Sequence, residues 1–278
     1  MQVKKFIRKN EDIQNFEVKM VIIGCDVEAL YPSLEIDECC KVVEEEVMRS
    51  TITWGDIDYL EGARFIALHR STEYCRNHEL RKILPVRRRR TGSKPGITGK
   101  GPLGAERGDT EQWHFPKVKL TERQKRLIIA EVIKIIAEVM FKNHLYTFGG
   151  QVFKQKQGGH IGLRGTCAIA RLTMCHWDRK WKNMIEENKV KVEAYMRYMD
   201  NGRALLHPLR HGWHWNNGEL RYTKRWEEED RTLSGLEITR RALEASFQEV
   251  FTSLRFTTKA GEGSEEWLPT LDIKLRVE

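Results

Sequence analysis

Two aspartates sit where apolar stretches of this chain end. Lys19-Met-Val-Ile-Ile-Gly24 runs into Cys25-Asp26, and Tyr195-Met-Arg-Tyr-Met199 runs into Asp200-Asn201-Gly202. Each stretch reads as a strand that carries its carboxylate at the C-terminal end. Carboxylates on adjacent strand ends are hard anionic donors. Such a pair can share two divalent cations about 4 Å apart, the arrangement of in-line phosphoryl transfer. Between the two lies Phe153-Lys-Gln-Lys-Gln-Gly-Gly-His-Ile-Gly-Leu-Arg-Gly-Thr166, dense in glycine and leading into a helix. Glycines there let a flat base or sugar approach the backbone, and a helix start favours phosphate. Each feature alone also fits a structural role. Asn201-Gly202 is turn chemistry, since both residues tolerate positive φ. A hairpin needs nothing more, so folding alone leaves Asp200 unexplained.

The elements that must position these residues follow from periodicity. A helix is expected from Ile36 to Met48, after Pro32-Ser33. A second is expected from Ile57 to Asn77, with Leu60, Ala63, Ile66 and Ala67 inward and Phe65 flanking. Residues 85–116 change character: four arginines, Arg87, Arg88, Arg89 and Arg90, precede a Gly/Pro/Ser-rich tract. This reads as a long flexible insertion anchored near Trp113 and Phe115, with the arginines available to a phosphate backbone. A helix is expected over Thr121–Asn143, capped by Thr121, with Leu127, Ile128, Val132, Ile135, Ile136 and Val139 inward. Next come a strand over Tyr146–Lys156 and a helix over Thr166–Ile185. A hairpin is expected at Trp213–Tyr222, turning at Asn217-Gly218. Glu227–Asp230 reads as a solvated loop face. A helix over Leu236–Leu254 and strands over Arg255–Thr258 and Leu268–Leu275 close the chain.

With 278 residues, 40% hydrophobic and 32% charged, the chain is long enough for a sizeable core. Its formal charge of +8 points to a polyanionic partner, nucleic acid above all. No apolar run reaches the roughly 18 residues of a membrane span, and the first residues carry no secretory h-region. Six cysteines without a CxxC pair read as reduced thiols of an intracellular protein, cytoplasmic or nuclear. His69, Cys75 and His78 lack a nearby fourth ligand for zinc.

The joint order of motifs is more specific than any one of them. "DVEALYPSL" (Asp26–Leu34), "QKQGGHIGLRGT" (Gln155–Thr166) and "YMDN" (Tyr198–Asn201) resemble, in sequence and spacing, three successive motifs of the reverse-transcriptase palm. The group most similar is that of Penelope-like and related retroelement polymerases, whose late-palm strand "LPTLDIKL" (Leu268–Leu275) also resembles. The resemblance implies an α+β palm, an antiparallel sheet backed by helices, with incomplete fingers and no evident thumb. It spans most of residues 19–278, taken as a single domain over 1–278 carrying the basic insertion. It implies an RNA-directed DNA polymerase using two Mg²⁺ ions, with Mn²⁺ as a substitute. RNA template, DNA primer, RNA–DNA duplex and dNTP are the implied partners, and no membrane. By the same resemblance Asp26 and Asp200 are the catalytic metal ligands, with the Val27 carbonyl and Asn201 beside them. Tyr31 lies under the sugar of the incoming nucleotide, while Gln155, Gly158 and Gly162 shape the pocket of the templating pair. A bulky ring at Tyr31 would exclude a ribose 2′-hydroxyl, so the implied product is DNA.

The chain departs from the family pattern in three places. Asn201 replaces the second acid of YxDD, which removes one negative charge and implies impaired polymerisation. Ile161 stands where relatives carry a polar residue or methionine. Only 25 residues precede Asp26, so the upstream fingers strands are expected to be missing from what reads as an element fragment. Two other readings stay open: a catalytically inactive palm remnant that binds RNA or RNA–DNA duplex, and an unrelated basic α+β binding protein whose Asp26 and Asp200 never meet.

Overall fold

The computed structural model describes residues 9–51, 58–70, 77–88, 112–117, 119–160, 162–251, 253–260, 268–270 and 273–275. In chain order, α1 (Asn10–Ile13) and β1 (Val21–Val27) lead to α2 (Leu30–Ser33), α3 (Ile36–Arg49), α4 (Tyr59–His69) and α5 (His78–Ile83). The ladder of β2 (Val86–Arg88) and β3 (Gln112–His114) precedes α6 (Glu122–Lys142). The hairpin of β4 (Leu145–Phe148) and β5 (Gln151–Lys154) leads to α7 (Arg164–Glu187). Then come β6 (Val192–Tyr198), β7 (Asn201–Leu206), β8 (Trp213–Asn216), β9 (Glu219–Tyr222) and α8 (Lys224–Glu229). The last elements are α9 (Gly235–Val250), β10 (Phe256–Ala260), β11 (Leu268–Thr270) and β12 (Ile273–Leu275). They fall into two compact units, Met1–Val42 with Phe141–Glu278, and Val43–Met140.

The first unit is built on an antiparallel four-stranded sheet in the order β10-β1-β7-β6. Alternation along β7 buries Gly202, Ala204 and Leu206 and leaves Asn201, Arg203 and Leu205 partly open. The buried face meets α7 and α9 through an aromatic core. Trp177 packs on Phe256 at 4.7 Å between ring centroids, and Trp181 packs on Phe247 at 5.0 Å. Trp177, Trp181 and Phe247 are wholly buried. Mixed helix and antiparallel sheet make this an α+β fold, as expected.

The second unit is helical apart from the β2–β3 ladder. Ala63 and Ile66 of α4, Leu80 and Ile83 of α5, and Leu127, Ile128 and Ile135 of α6 form its core, with Phe115 packed against it. Thr121 caps α6 as expected: its hydroxyl accepts from the Gln124 amide, and the Gln124 side chain accepts from the Thr121 amide, a reciprocal box. Arg70 donates to both Glu131 and Glu138 on α6.

Several expectations are corrected. The strand over Tyr146–Lys156 is a hairpin, because Gly149 (φ 58°) and Gly150 (φ 78°) form a two-residue turn within it. The helix expected over Ile57–Asn77 is α4, capped by Asp58, with a separate α5 capped by Asn77. Leu60 of α4 is exposed; in α6, Leu127, Ile128 and Ile135 are buried and Val132 packs on the core as expected, but Ile136 and Val139 are exposed while Ile129, Ala130 and Ala137 are buried, so the stripe is shifted. Glu227, Glu228 and Glu229 are exposed as expected, but they belong to α8 rather than a loop, and Asp230, just after it, is buried, accepting from the Gly212 amide and paired with His214. The helix over Leu236–Leu254 stops at Val250, and the closing strands are β10 and the β11–β12 pair. The Asn217-Gly218 hairpin is as expected. Of the arginine run, Arg87 and Arg88 contribute backbone to β2, while Arg89, Arg90 and most of the expected insertion lie outside the described residues, as does Cys75. No helix among the described residues is long and apolar enough to cross a membrane.

Candidate active site

Strand β1 carries Asp26 to its C-terminal end because Ile23, Cys25 and Val27 anchor the alternate positions in the core. On one side it pairs with β7, with Asp26 opposite Asn201 and Gly24 opposite Arg203. One step further, the Val27 amide donates to the Asp200 carbonyl at 3.1 Å. The two aspartates are therefore brought to the same end of neighbouring antiparallel strands. Asp26, Asn201 and Arg203 share the open face of the sheet, opposite the aromatic core.

The turn that presents Asp200 differs from its expected form. Tyr198 pairs with Asn201, so Met199 and Asp200 are the two turn residues and Asn201 already belongs to β7. Met199, not Asn201 or Gly202, adopts positive φ, at 54°. The sequence signal was misread because Gly202 answers a different constraint. A Cβ there would come within 2.5 Å of Cys25 Sγ and 3.2 Å of the Tyr195 hydroxyl. Glycine lets the buried face of β7 close onto β1, and the turn is held instead by its neighbours. Arg171 of α7 donates to Met199 Sδ at 3.3 Å.

The electrostatics bear on cation binding. Asp26 Oδ1 is buried and accepts no hydrogen bond. Desolvation, then the charge of Asp200, raise the Asp26 pKa above its ordinary value, against the opposing effects of Lys259 and Arg203. The folded state thus holds this proton more tightly than the unfolded chain. Stability from Asp26 is present at low pH and lost as pH rises from the ordinary aspartate value through the raised one. Removing the neighbouring charge must lower the pKa. In Asp200→Asn, the Asp26 carboxyl followed by NMR without metal should titrate at lower pH than in the wild type. An identical midpoint would show that the two carboxylates do not sense one another.

The glycine segment is docked on the Tyr31 turn. Gly159 donates to the Tyr31 carbonyl at 2.7 Å, and a Cβ on Gly158 would lie 2.5 Å from the Pro32 carbonyl oxygen. Gly158, at φ 76°, therefore answers both a backbone conformation and a close approach. Gln155 braces this segment, its side-chain amide donating to the carbonyls of Gln157 at 2.8 Å and Gly158 at 3.2 Å. Gly162 takes φ 100°, with open space around it. The Tyr31 hydroxyl is pushed above its usual pKa by desolvation, then by its hydrogen bond with Cys167, and it feels both Arg171 and Asp200. Tyr31, Asp200 and the glycine segment are thus neighbours. A cleft of about 610 Å³ lined by Pro32–Asp37 and Lys156–Gly158 includes neither Asp26 nor Asp200.

Two features had no part in the sequence reading. Arg197, on the buried face of β6, lies behind the site with its side chain 6% exposed. It donates from Nε to Asp178 at 2.7 Å, from Nη2 to the Tyr195 hydroxyl at 2.7 Å, and from Nη1 to the Asp200 carbonyl at 3.2 Å. Its guanidinium lies over the Trp177 ring at 4.8 Å. The Asp200 backbone is thereby tied from the core side. On the open face, Arg203 donates to the Asn201 side-chain oxygen at 3.0 Å, lying across Gly24, where a Cβ would be 3.0 Å from its Nη1. The oxygen that Asn201 would offer a cation is thus engaged by Arg203.

The donors fit a divalent cation at one point, the unpartnered carboxylate oxygen of Asp26 beside the Asp200 charge. Among the described residues no three His, Cys, Asp or Glu side chains gather into a metal-binding group. No protein-family model, curated protein or solved structure matches the chain.

Proposed function

We propose that this chain is a reverse-transcriptase-like palm that joins deoxynucleotides on an RNA template, weakly because of Asn201. The observation that carries the reading is the convergence of three sequence motifs. Asp26 lies at the end of β1, Asp200 lies in the turn that opens the neighbouring β7, and the glycine segment is hydrogen-bonded to the Tyr31 backbone. In this reading Asp26 and Asp200 hold two divalent cations with help from the Val27 carbonyl. When bound, the cations would offset charge developing on the transferred phosphoryl group and make the primer hydroxyl more acidic. Tyr31 sits under the sugar and rejects a 2′-hydroxyl by its bulk. Gly162 leaves room for the templating pair, while Gly158 seats the segment against the Pro32 backbone and Gln155 braces it. Arg197 keeps Asp200 from withdrawing.

The engagement of Asn201 by Arg203 favours a second reading, a silent palm that binds RNA or RNA–DNA duplex. Single-nucleotide extension of a DNA primer on RNA, in Mn²⁺, separates them. Incorporation of dNTP over rNTP that is lost in Asp26→Asn supports the polymerase. Duplex binding without any incorporation selects the silent palm. Incorporation unchanged by Asp26→Asn would refute the assignment of the site.

A further inference from the structure

The β4–β5 hairpin is exposed along its whole length, on both faces. Phe148 is 76% exposed, and Tyr146 and Phe153 are 46% and 38% exposed. Register sorts these side chains: Tyr146 lies opposite Phe153 and Phe148 opposite Gln151, so all three rings share one face. Tyr146 and Phe153 stack at 5.6 Å with 22° between their planes. A contiguous patch of open rings on a marginal two-stranded element is a mark of binding rather than of folding.

Charge decides what could cover it. From Val139 to Trp177 the sequence has no Asp or Glu, but it has Lys142, Lys154, Lys156, Arg164 and Arg171. Lys154, opposite Leu145 on the other face of the hairpin, and Lys156, just beyond β5, are both exposed. A ring face on a hairpin with cations at its open end, and no acid near in sequence, suits a ligand with flat faces joined by a negative backbone. Every nucleobase offers a π-face, so such a platform takes single strands without sequence preference.

We propose that the Tyr146–Phe148–Phe153 face is a stacking platform for single-stranded nucleic acid, whose backbone leaves that face at the base of the hairpin, where Lys154 and Lys156 contact its phosphates. This extends the nucleic-acid reading above but needs neither metal nor chemistry at Asp26 and Asp200. The test is therefore run in EDTA, by fluorescence anisotropy of a labelled single-stranded RNA 15-mer.

Phe148→Ala should weaken binding roughly five- to a hundredfold, from the usual value of base–aromatic stacking. Phe148→Leu, which keeps the apolar bulk without a π-face, should lose as much. Phe148→Trp should keep affinity, and its emission should be quenched by the bound RNA. An abasic oligomer of equal charge, which can stack on none of the three rings, should bind wild type more weakly than RNA binds Phe148→Ala. Lys154→Gln with Lys156→Gln should flatten the log–log salt slope by about 1.4. Equal RNA binding by wild type and Phe148→Ala would overturn the proposal. So would full affinity in Phe148→Leu, which would mark a generic apolar contact. Self-association abolished by Phe148→Ala with RNA binding unchanged would assign the face to a second copy of the chain.

Discussion

Asp200→Asn is expected to lower Mn²⁺ affinity by roughly ten- to a hundredfold. The basis is Coulombic: unit charges 4 Å apart attract by about 4 kcal/mol at an effective dielectric of about 20, and solvent access at a strand end reduces that to roughly 1–3 kcal/mol. Mn²⁺ is the better probe because it is less demanding in geometry than Mg²⁺. Asn201→Asp should act in the opposite direction, but by only a few-fold. The new carboxylate would sit where the Asn201 oxygen now accepts from Arg203, and that guanidinium would offset part of its charge. Affinity should also rise with pH through a midpoint above the ordinary aspartate range, because the Asp26 proton must leave first. Calorimetric titration of Mn²⁺ into wild type and the two variants, across a series of pH values, checks all three points. Equal affinity in wild type and Asp200→Asn would reduce Asp200 to a turn residue.

The largest loss of stability should come from Arg197→Ala, about 3–5 kcal/mol, the usual cost of removing one partner from a buried ion pair. Asp178 and the Tyr195 hydroxyl would be left without their cation. For a unit of this size the melting temperature should fall by about 6–20 °C. Arg197→Lys should recover little. Three N–H groups of one planar fork reach Asp178, Tyr195 and the Asp200 carbonyl, and an ammonium on a flexible stem cannot reproduce that geometry. Replacing both charges, in Arg197→Met with Asp178→Leu, should restore most of the stability while leaving the Asp200 carbonyl with the Val27 amide but without the Arg197 donor. In that double variant Mn²⁺ binding should stay weak although the fold is recovered. A melting temperature unmoved in Arg197→Ala would show that the pair is not buried as described.

Local chemistry reveals the elements of this chain, and tertiary closure decides how they serve the site. The apolar run before Asp26, the Thr121 cap of α6 and the Asn217-Gly218 turn were legible because their causes lie within a few residues: period-two burial, an i→i+3 hydrogen bond, a positive φ. The α+β class follows from the same signals. The inward face of α6 was less legible, since its residues are apolar on more than one side and only packing selects which are buried. Gly202 was misread for a deeper reason. Glycine serves a turn or a close approach equally well, and what fills the missing Cβ's place is Cys25, far away in sequence. Arg197 and Arg203 were invisible in the same way. Strand alternation separates them onto opposite faces, but a charged residue facing a core signals nothing until Asp178, Tyr195 and Trp177 surround it. The sequence by itself supplied the two carboxylates and their strand ends. Only the antiparallel pairing of β1 with β7 put Asp200 beside Val27, laid Arg203 across Gly24 and left Asp26 Oδ1 without a partner. Register between distant strands is set by the burial of both at once, and no short stretch of either encodes it.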